Sequence, residues 1–504
     1  MILHWADKIA KELRDKKEKH VIATGITPSG PIHIGNVREI ITADAIHRAL
    51  GEDSKLIYIA DTFDPLRKVY PFLPPDFERY VGVPLSEIPC PYGCCESYIH
   101  HFLNPFLEGI DRLNINPKVI LAHELYKKGK YAPYVRKVLE ESEKLRNILT
   151  KFTGRELPED WFPYMPQCQT CKRITSTKII SLADDKIEYK CTYGHEGTAS
   201  IKRGEGKLPW RVDWPARWKM LSVTCEPLGK DHAVSGGSYE TGKAIVEEIF
   251  GGEAPYPVVY EWIHMKGIGV MSSSRGIVFS IKDWLDVAPP EALKYLILRS
   301  KTNKHIEFDP KDLPDLMDNF DSLWKKYHYG EASEEERRLA ELCGMDKSKI
   351  MAVPYRFMSV VAQITDDFDY ILRILRRTGH IKDDFDENLI KQRLFHCKNW
   401  VDTYAPEWIK FNLKEELPDI KLDEKQKKGL KILAESLDKD LDDVGMHNEI
   451  YRVAREEVDM DPKHLFQAIY LVLIGKKSGP KAGSFIISLE KNFVKKRFVE
   501  ASMN

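Results

Sequence analysis

Apolar residues follow two different spacings along this chain, and the change from one to the other divides it. Val21 to Ile26 and Lys55 to Ala60 are short runs, apolar at most positions, as expected of strands buried on both faces of a parallel sheet. Trp5 to Lys19 and Val37 to Leu50 repeat apolar residues every three or four positions, which predicts helices with a buried stripe. Helix, strand, helix and strand in succession make a βαβ unit. Lys118 to Ala122 reads as a further strand, Tyr131 to Phe152 as one long charged helix, and Tyr256 to Ile263 as sheet again. Beyond about Leu285 the strand signals fade. From Glu331 on, Tyr355 to Arg377, Leu389 to Tyr404, Glu424 to Leu437, Asn448 to Val458 and His464 to Ile474 read as helices of one bundle. The predicted architecture is an α/β Rossmann-like parallel-sheet domain over 1–285, a connecting helical region over 286–335, and an all-α domain over 336–504. Two insertions interrupt the first domain, one at about 65–107 and one at about 158–209.

Between the first strand and the second helix lies Thr27-Pro28-Ser29-Gly30-Pro31-Ile32-His33-Ile34-Gly35-Asn36. A strand delivering a turn onto a helix N-terminus makes an anion site, because unpaired N–H groups and the positive end of the helix dipole face whatever sits there. The turn has neither Gly-x-Gly-x-x-Gly nor the Lys-Ser/Thr pair of a P-loop. It offers instead His33 and Asn36, two donors one helical turn apart, with Gly35 between them to admit a nucleotide close to the backbone. Asp61 and Asp64 follow the next strand, at the carboxyl edge where doubly wound sheets bind ligands.

Composition narrows the partners little. The 504 residues carry 76 Lys+Arg against 77 Asp+Glu, so any nucleic-acid surface has to be a local patch. No apolar stretch approaches the ~20 residues needed to span a bilayer, and Met1 to Lys19 is charged without an apolar core; a cytoplasmic protein with no membrane partner is expected. The nine cysteines are unevenly clustered, which favours metal ligation over a disulfide framework. Cys168-x2-Cys171 followed by Cys191-x3-His195 has the ligand types and paired spacing of a structural Zn²⁺ ribbon. Cys90, Cys94 and Cys95 with His101 form a less regular set, in which His100 competes as the fourth ligand and free thiols remain the alternative.

A glycine-serine loop, Gly267 to Gly276, follows the sheet segment Tyr256 to Ile263. Its Met271-Ser272-Ser273-Ser274-Arg275 core combines small hydroxyls with a guanidinium, a composition suited to closing over phosphates. The turn at His33, the Cys90 to His101 segment, Asp213-Trp214-Pro215, Gly229-Lys230-Asp231-His232, this loop, and Gly475-Lys476-Lys477-Ser478-Gly479-Pro480 occur in an order that resembles the class I lysyl-tRNA synthetases, the archaeal type.

The resemblance implies ATP-dependent formation of lysyl-adenylate and transfer of the lysyl group to the 3′ end of tRNA(Lys), with Mg²⁺ travelling on ATP, by an enzyme expected to be a monomer. It implies ATP contacts at Thr27, Ser29, Gly30, His33, Gly35, Asn36, Met271, Ser272, Ser273 and Ser274, and an L-lysine pocket from Gly25, Thr27, Trp218, His232 and Tyr260, with Asp231 and Glu261 as candidate acids. It makes 286–335 a stem-contact region and 336–504 an anticodon-binding domain, with Lys476, Lys477, Lys481, Lys491, Lys495, Lys496 and Arg497 as phosphate contacts. One departure stands out. Where the family's loop carries lysines at its first and fourth positions, this chain has Val270 and Ser273, so the cation that steadies pyrophosphate is expected from Lys266 or Arg275. A glutamyl-type class I synthetase and a degenerate zinc-bearing RNA-binding protein are the rival readings.

Overall fold

The computed structural model describes residues 3–271, 278–382 and 384–503. The chain forms two compact units. The first comprises Met1–Trp284, Leu293–Phe308 and Ser333–Met345, and the second comprises Leu285–Ala292, Asp309–Ala332 and Asp346–Asn504.

In the first unit α1 (Trp5–Arg14) leads to β1 (His20–Ile26), α2 (Ile34–Leu50), β2 (Ser54–Ala60), α3 (Tyr98–Arg112), β3 (Lys118–Leu121), α4 (Ala122–Lys127), α5 (Ala132–Glu140) and α6 (Ser142–Thr153). The second insertion carries β4 (Met165–Pro166), β5 (Thr177–Ala183), β6 (Lys186–Cys191), β7 (Glu196–Ser200) and β8 (Gly206–Lys207). Then come α7 (Trp210–Met220), β9 (Cys225–Gly229), α8 (Ser238–Glu248), β10 (Tyr256–Tyr260), β11 (Ile263–Met265), β12 (Gly269–Val270) and, later, β13 (Ile306–Phe308).

The main sheet is wholly parallel, in the order β10-β9-β1-β2-β3. Successive strands move outward from β1 on one side and from β9 on the other, so the order reverses between β1 and β9, the place where doubly wound α/β folds open a crevice. Ala23, Ile57, Ile59 and Leu228 pack on Trp214 and Trp218 of α7 and Val246 of α8. On the opposite face α2 lies over β1, and Tyr58 meets Phe106 of α3 at 5.0 Å. Gly25 lets β1 and β2 sit this close, since a Cβ there would fall 2.3 Å from the carbonyl oxygen of Ile59.

Several elements differ from the sequence expectation. β9, which the apolar pattern did not predict, is the fully buried strand beside β1. The long helix over Tyr131–Phe152 is two helices, broken at Glu141 with φ −104° and ψ 30°. Tyr355 to Arg377 is likewise divided into Tyr355–Val361 and Phe368–Arg377, the second capped by Asp367. The helix expected at Asn448 to Val458 runs Asp443–Arg452 and then loosens into a π turn over Val453–Glu457. The second unit is helical, with a core that includes Leu430, Leu433, Ile450, Leu465, Ile469, Phe485, Val494 and Phe498. No helix among the described residues is long and apolar enough to cross a membrane.

Candidate active site

A cavity of about 680 Å³ opens at the carboxyl ends of β1 and β9. Gly25, Thr27, Ser29, His33, Gly35 and Asn36 border it from the β1 turn, and Asp231, His232 and Tyr260 border it from the other half of the sheet. Gly30 lies under Phe72 rather than on the cavity wall; a Cβ there would meet that ring at 2.5 Å.

His33 caps α2 and is 8% exposed. Its Nδ1 is buried without a partner, a polar atom left for a ligand to satisfy. Burial lowers its pKa to about 4, so the ring is neutral at physiological pH. The Asn36 side-chain oxygen accepts the His33 N–H at 3.3 Å, which leaves the amide's amino group to donate. Ile34 donates to Phe279 at 2.9 Å, and His33 bridges to Ser280, so the chain beyond the serine loop is anchored to this same turn. On the near side Val270 and Met271 border the cavity. Ser272, Ser273, Ser274 and Arg275 lie outside the described residues. Lys266 is exposed in the turn between β11 and β12 and does not line the cavity.

Three acids line the cavity, Asp61, Asp231 and Glu39, and sequence reasoning passed over the last. Glu39 projects from α2 one turn beyond Asn36 and is half-buried on the cavity wall. One carboxylate oxygen accepts from Thr24 Oγ1 at 2.5 Å and from the Gly25 amide at 3.0 Å; the other accepts from Tyr260 Oη at 2.7 Å. Burial raises its pKa, and no cation pairs with it among the described residues. Tyr58, also on the cavity wall, has a buried hydroxyl without a partner. A lone Glu between Asn36 and the apolar pair Ile40-Ile41, on a helix otherwise buried nearly all round, was the available signal.

Two expected pocket residues are placed elsewhere. Trp218 is 1% exposed, donates to Glu226 at 2.6 Å, and sits behind the sheet, away from this cavity. Trp210, two turns earlier on α7, occupies the wall instead and stacks on Trp214 at 5.3 Å. Glu261 turns outward and pairs with Lys230 at 2.7 Å. Asp231 does line the cavity, half-exposed at its mouth.

Both cysteine clusters assemble. The ligand atoms of Cys168, Cys171, Cys191 and His195 lie within 4.8 Å of one another, as do those of Cys90, Cys94, Cys95 and His101. Tetrahedral thiolate ligation of zinc separates neighbouring sulfurs by about 3.8 Å. Cys171 and Cys191 stand 3.7 Å apart, and Cys90 and Cys94 3.6 Å. Burial pushes the Cys171 thiol up, but hydrogen bonds from the Arg173 amide, Cys168, Cys191 and His195 outweigh it and bring the pKa to about 6, toward the thiolate a metal requires. His101 Nδ1 is 3.2 Å from Cys94 Sγ, whereas His100 Nδ1 is taken by Ser97 at 2.8 Å, which resolves the two histidines in favour of His101.

Comparison with known proteins agrees with this geometry. A family model described as class I (K) tRNA synthetases matches residues 3–346. The chain is 45% identical to the lysine–tRNA ligase of Methanocaldococcus jannaschii over 98% of its length and 99% of the relative's. It is 45% identical to that of Archaeoglobus fulgidus, over 99% and 100%. Lysine–tRNA ligase 1 of Methanosarcina acetivorans is 44% identical, over 99% and 98%. With a parallel sheet, a cavity at its switch point and a family match over most of the chain, the chain belongs to the class I (K) tRNA synthetases.

Proposed function

We propose that the protein is a lysine–tRNA ligase, activating L-lysine with ATP and passing it to tRNA(Lys). The observation that carries the choice of amino acid is Glu39. A partly desolvated carboxylate among hydroxyls and one amide keeps its charge at low cost only when a cation joins it. The substrate ε-ammonium is such a cation, and Trp210 and His232 give its methylene chain apolar walls. A glutamate side chain would set a second carboxylate against Glu39, which argues against the glutamyl-type alternative. The shared name of the full-length relatives supports the same amino acid.

In the first step a lysine carboxylate oxygen attacks the α-phosphorus of ATP in line. The bond from that phosphorus to its bridging oxygen breaks, and pyrophosphate leaves. Neutral His33, the Asn36 amide and the N-terminus of α2 donate to oxygens on which charge builds, so catalysis is positioning plus preorganised donors. Class I synthetases use ATP with Mg²⁺, which offsets phosphate charge. In the second step a ribose hydroxyl of the terminal adenosine attacks the adenylate carbonyl, and AMP departs.

Cys168, Cys171, Cys191 and His195 would hold one structural zinc with no open position, and Cys90, Cys94, Cys95 and His101 a second. In the second unit Tyr451, Phe466 and Tyr470, with Arg455, Lys463 and Lys477, surround a cavity of about 640 Å³, a chemistry suited to an unstacked base. Much of the terminal basic patch is otherwise engaged: Arg497 is buried, and Lys491 and Lys495 both pair with Asp438.

The test is amino-acid-dependent exchange of labelled pyrophosphate into ATP across lysine, arginine and glutamate. Exchange with lysine alone is expected. Exchange with glutamate, or with none, would overturn the reading.

A further inference from the structure

Beneath the cavity runs a buried chain of charges that the reaction just described does not use. Lys207 ends β8, where β8 pairs with β4 to close the stem of the second insertion. Its side chain is 1% exposed, and its Nζ lies 2.5 Å from Asp213 and 3.3 Å from Asp64. The other oxygen of Asp64 accepts the Thr27 hydroxyl at 2.7 Å, and Thr27 borders the cavity. Asp213 in turn accepts from Tyr126 at 2.6 Å, from Tyr131 at 2.8 Å and from Arg217 at 2.5 Å, while Arg217 also holds Asp61 at the cavity edge. Three buried acids therefore share two buried cations.

The stem is built to put Lys207 there. Gly206 has φ +154°, and a Cβ on it would fall 2.6 Å from the Met165 carbonyl oxygen, so the backbone crosses β4 at a distance no other residue allows. Two residues beyond β4 stands Cys168, the first ligand of the Cys/His set, and Gln167 between them donates to Glu87 at 2.7 Å. The insertion thus delivers one cation from outside the Rossmann sheet to a carboxylate that fixes a cavity residue.

We propose that Lys207 is a positioning residue for the amino-acid substrate, acting through Asp64 to hold the Thr27 hydroxyl in the orientation that lysine meets. Without the ion pair, the Asp64 carboxylate is free to turn toward other donors and the Thr27 rotamer is no longer set. Thr27 is expected to meet both substrates, but ATP keeps its donors His33 and Asn36 at the head of α2, outside this chain of charges, so the effect falls more on lysine than on ATP. The inference rests on the functional reading above and adds to it a role for the insertion.

The test is pyrophosphate exchange by the full-length protein, with KM for lysine and for ATP measured separately, and with thermal unfolding followed in parallel. Asp64→Asn keeps an acceptor for Thr27 but removes the pairing with Lys207; Lys207→Gln removes the charge from the other side. Each is expected to raise the lysine KM about tenfold or more, with a clearly smaller rise in the ATP KM. Thr27→Val combined with Asp64→Asn is expected to be no worse than Thr27→Val alone, because both act on one hydroxyl. A folded Asp64→Asn protein with an unchanged lysine KM, or with a lowered unfolding temperature and both KM values shifted alike, would overturn the inference, as would additive effects in the double variant. A wild-type protein without lysine-dependent exchange would overturn the functional reading and this inference together.

Discussion

Glu39→Gln separates a substrate-recognising acid from a structural one. The glutamine carbonyl can take over the Thr24 and Gly25 hydrogen bonds, and its amide can donate to the Tyr260 oxygen, so shape and satisfaction survive while the charge goes. What is lost is a charge-assisted contact to an ammonium, about 3 kcal/mol, which corresponds to roughly a hundredfold rise in the lysine KM. Folding moves the other way. Burial raises the pKa of Glu39, so the folded state holds its proton longer than the unfolded chain does, and ionising it costs stability as pH rises above the ordinary carboxyl range. Glu39→Gln removes that cost and is expected to unfold no earlier than wild type at pH 8. Pyrophosphate exchange against lysine concentration, with calorimetry at pH 8, reads both quantities. An unchanged lysine KM would refute the assignment; a marked loss of thermal stability with proportionate loss of activity would mean that the carboxylate serves the fold.

Further outcomes follow from the same geometry. His33→Ala should slow adenylate formation about 100- to 1,000-fold by single-turnover measurement, with lysine KM little altered; because burial holds His33 near 4, the wild-type rate should carry no histidine titration from it between pH 6 and 8. Glu226, fully buried under Trp214 and Trp218, is held near 7 by desolvation against an ordinary 4.5, so wild-type stability should fall relative to Glu226→Gln by about 3 kcal/mol as pH rises from 4.5 through 7, measured by denaturant unfolding. Elemental analysis of freshly purified protein should find at least one zinc per chain, and chelation should expose the second insertion to protease; metal-free protein would contradict this. If Arg275 or Lys266 replaces the missing loop lysines, Arg275→Ala or Lys266→Ala should slow adenylate formation with lysine affinity kept, whereas wild-type exchange in both would exclude the compensation.

The sequence made the β1 turn, the Cys/His sets and the helical C-terminal region legible because each is a local pattern: a strand edge, a ligand spacing, a period. β9 was not legible, since Cys225-Glu226-Pro227-Leu228-Gly229 puts an acid and a proline into a strand whose burial comes wholly from its neighbours. Trp210, Trp214 and Trp218 share one face of α7 at intervals of four, and spacing could not say which end meets the cavity and which the core. Glu39 stayed hidden because an acid on a helix reads as solvent-facing until the strands beneath it are in place. The breaks at Glu141 and after Val361 follow from local backbone and capping preferences that apolar periodicity does not register.

The most direct measurement is a crystal structure of the protein with a non-hydrolysable lysyl-adenylate analogue. The account predicts the ε-ammonium within hydrogen-bonding distance of Glu39 and Tyr260, and the phosphate mimic against His33 and Asn36 at the head of α2. An analogue whose ammonium lies at the cavity mouth by Asp231, with Glu39 still bound only to Thr24, Gly25 and Tyr260, would contradict it.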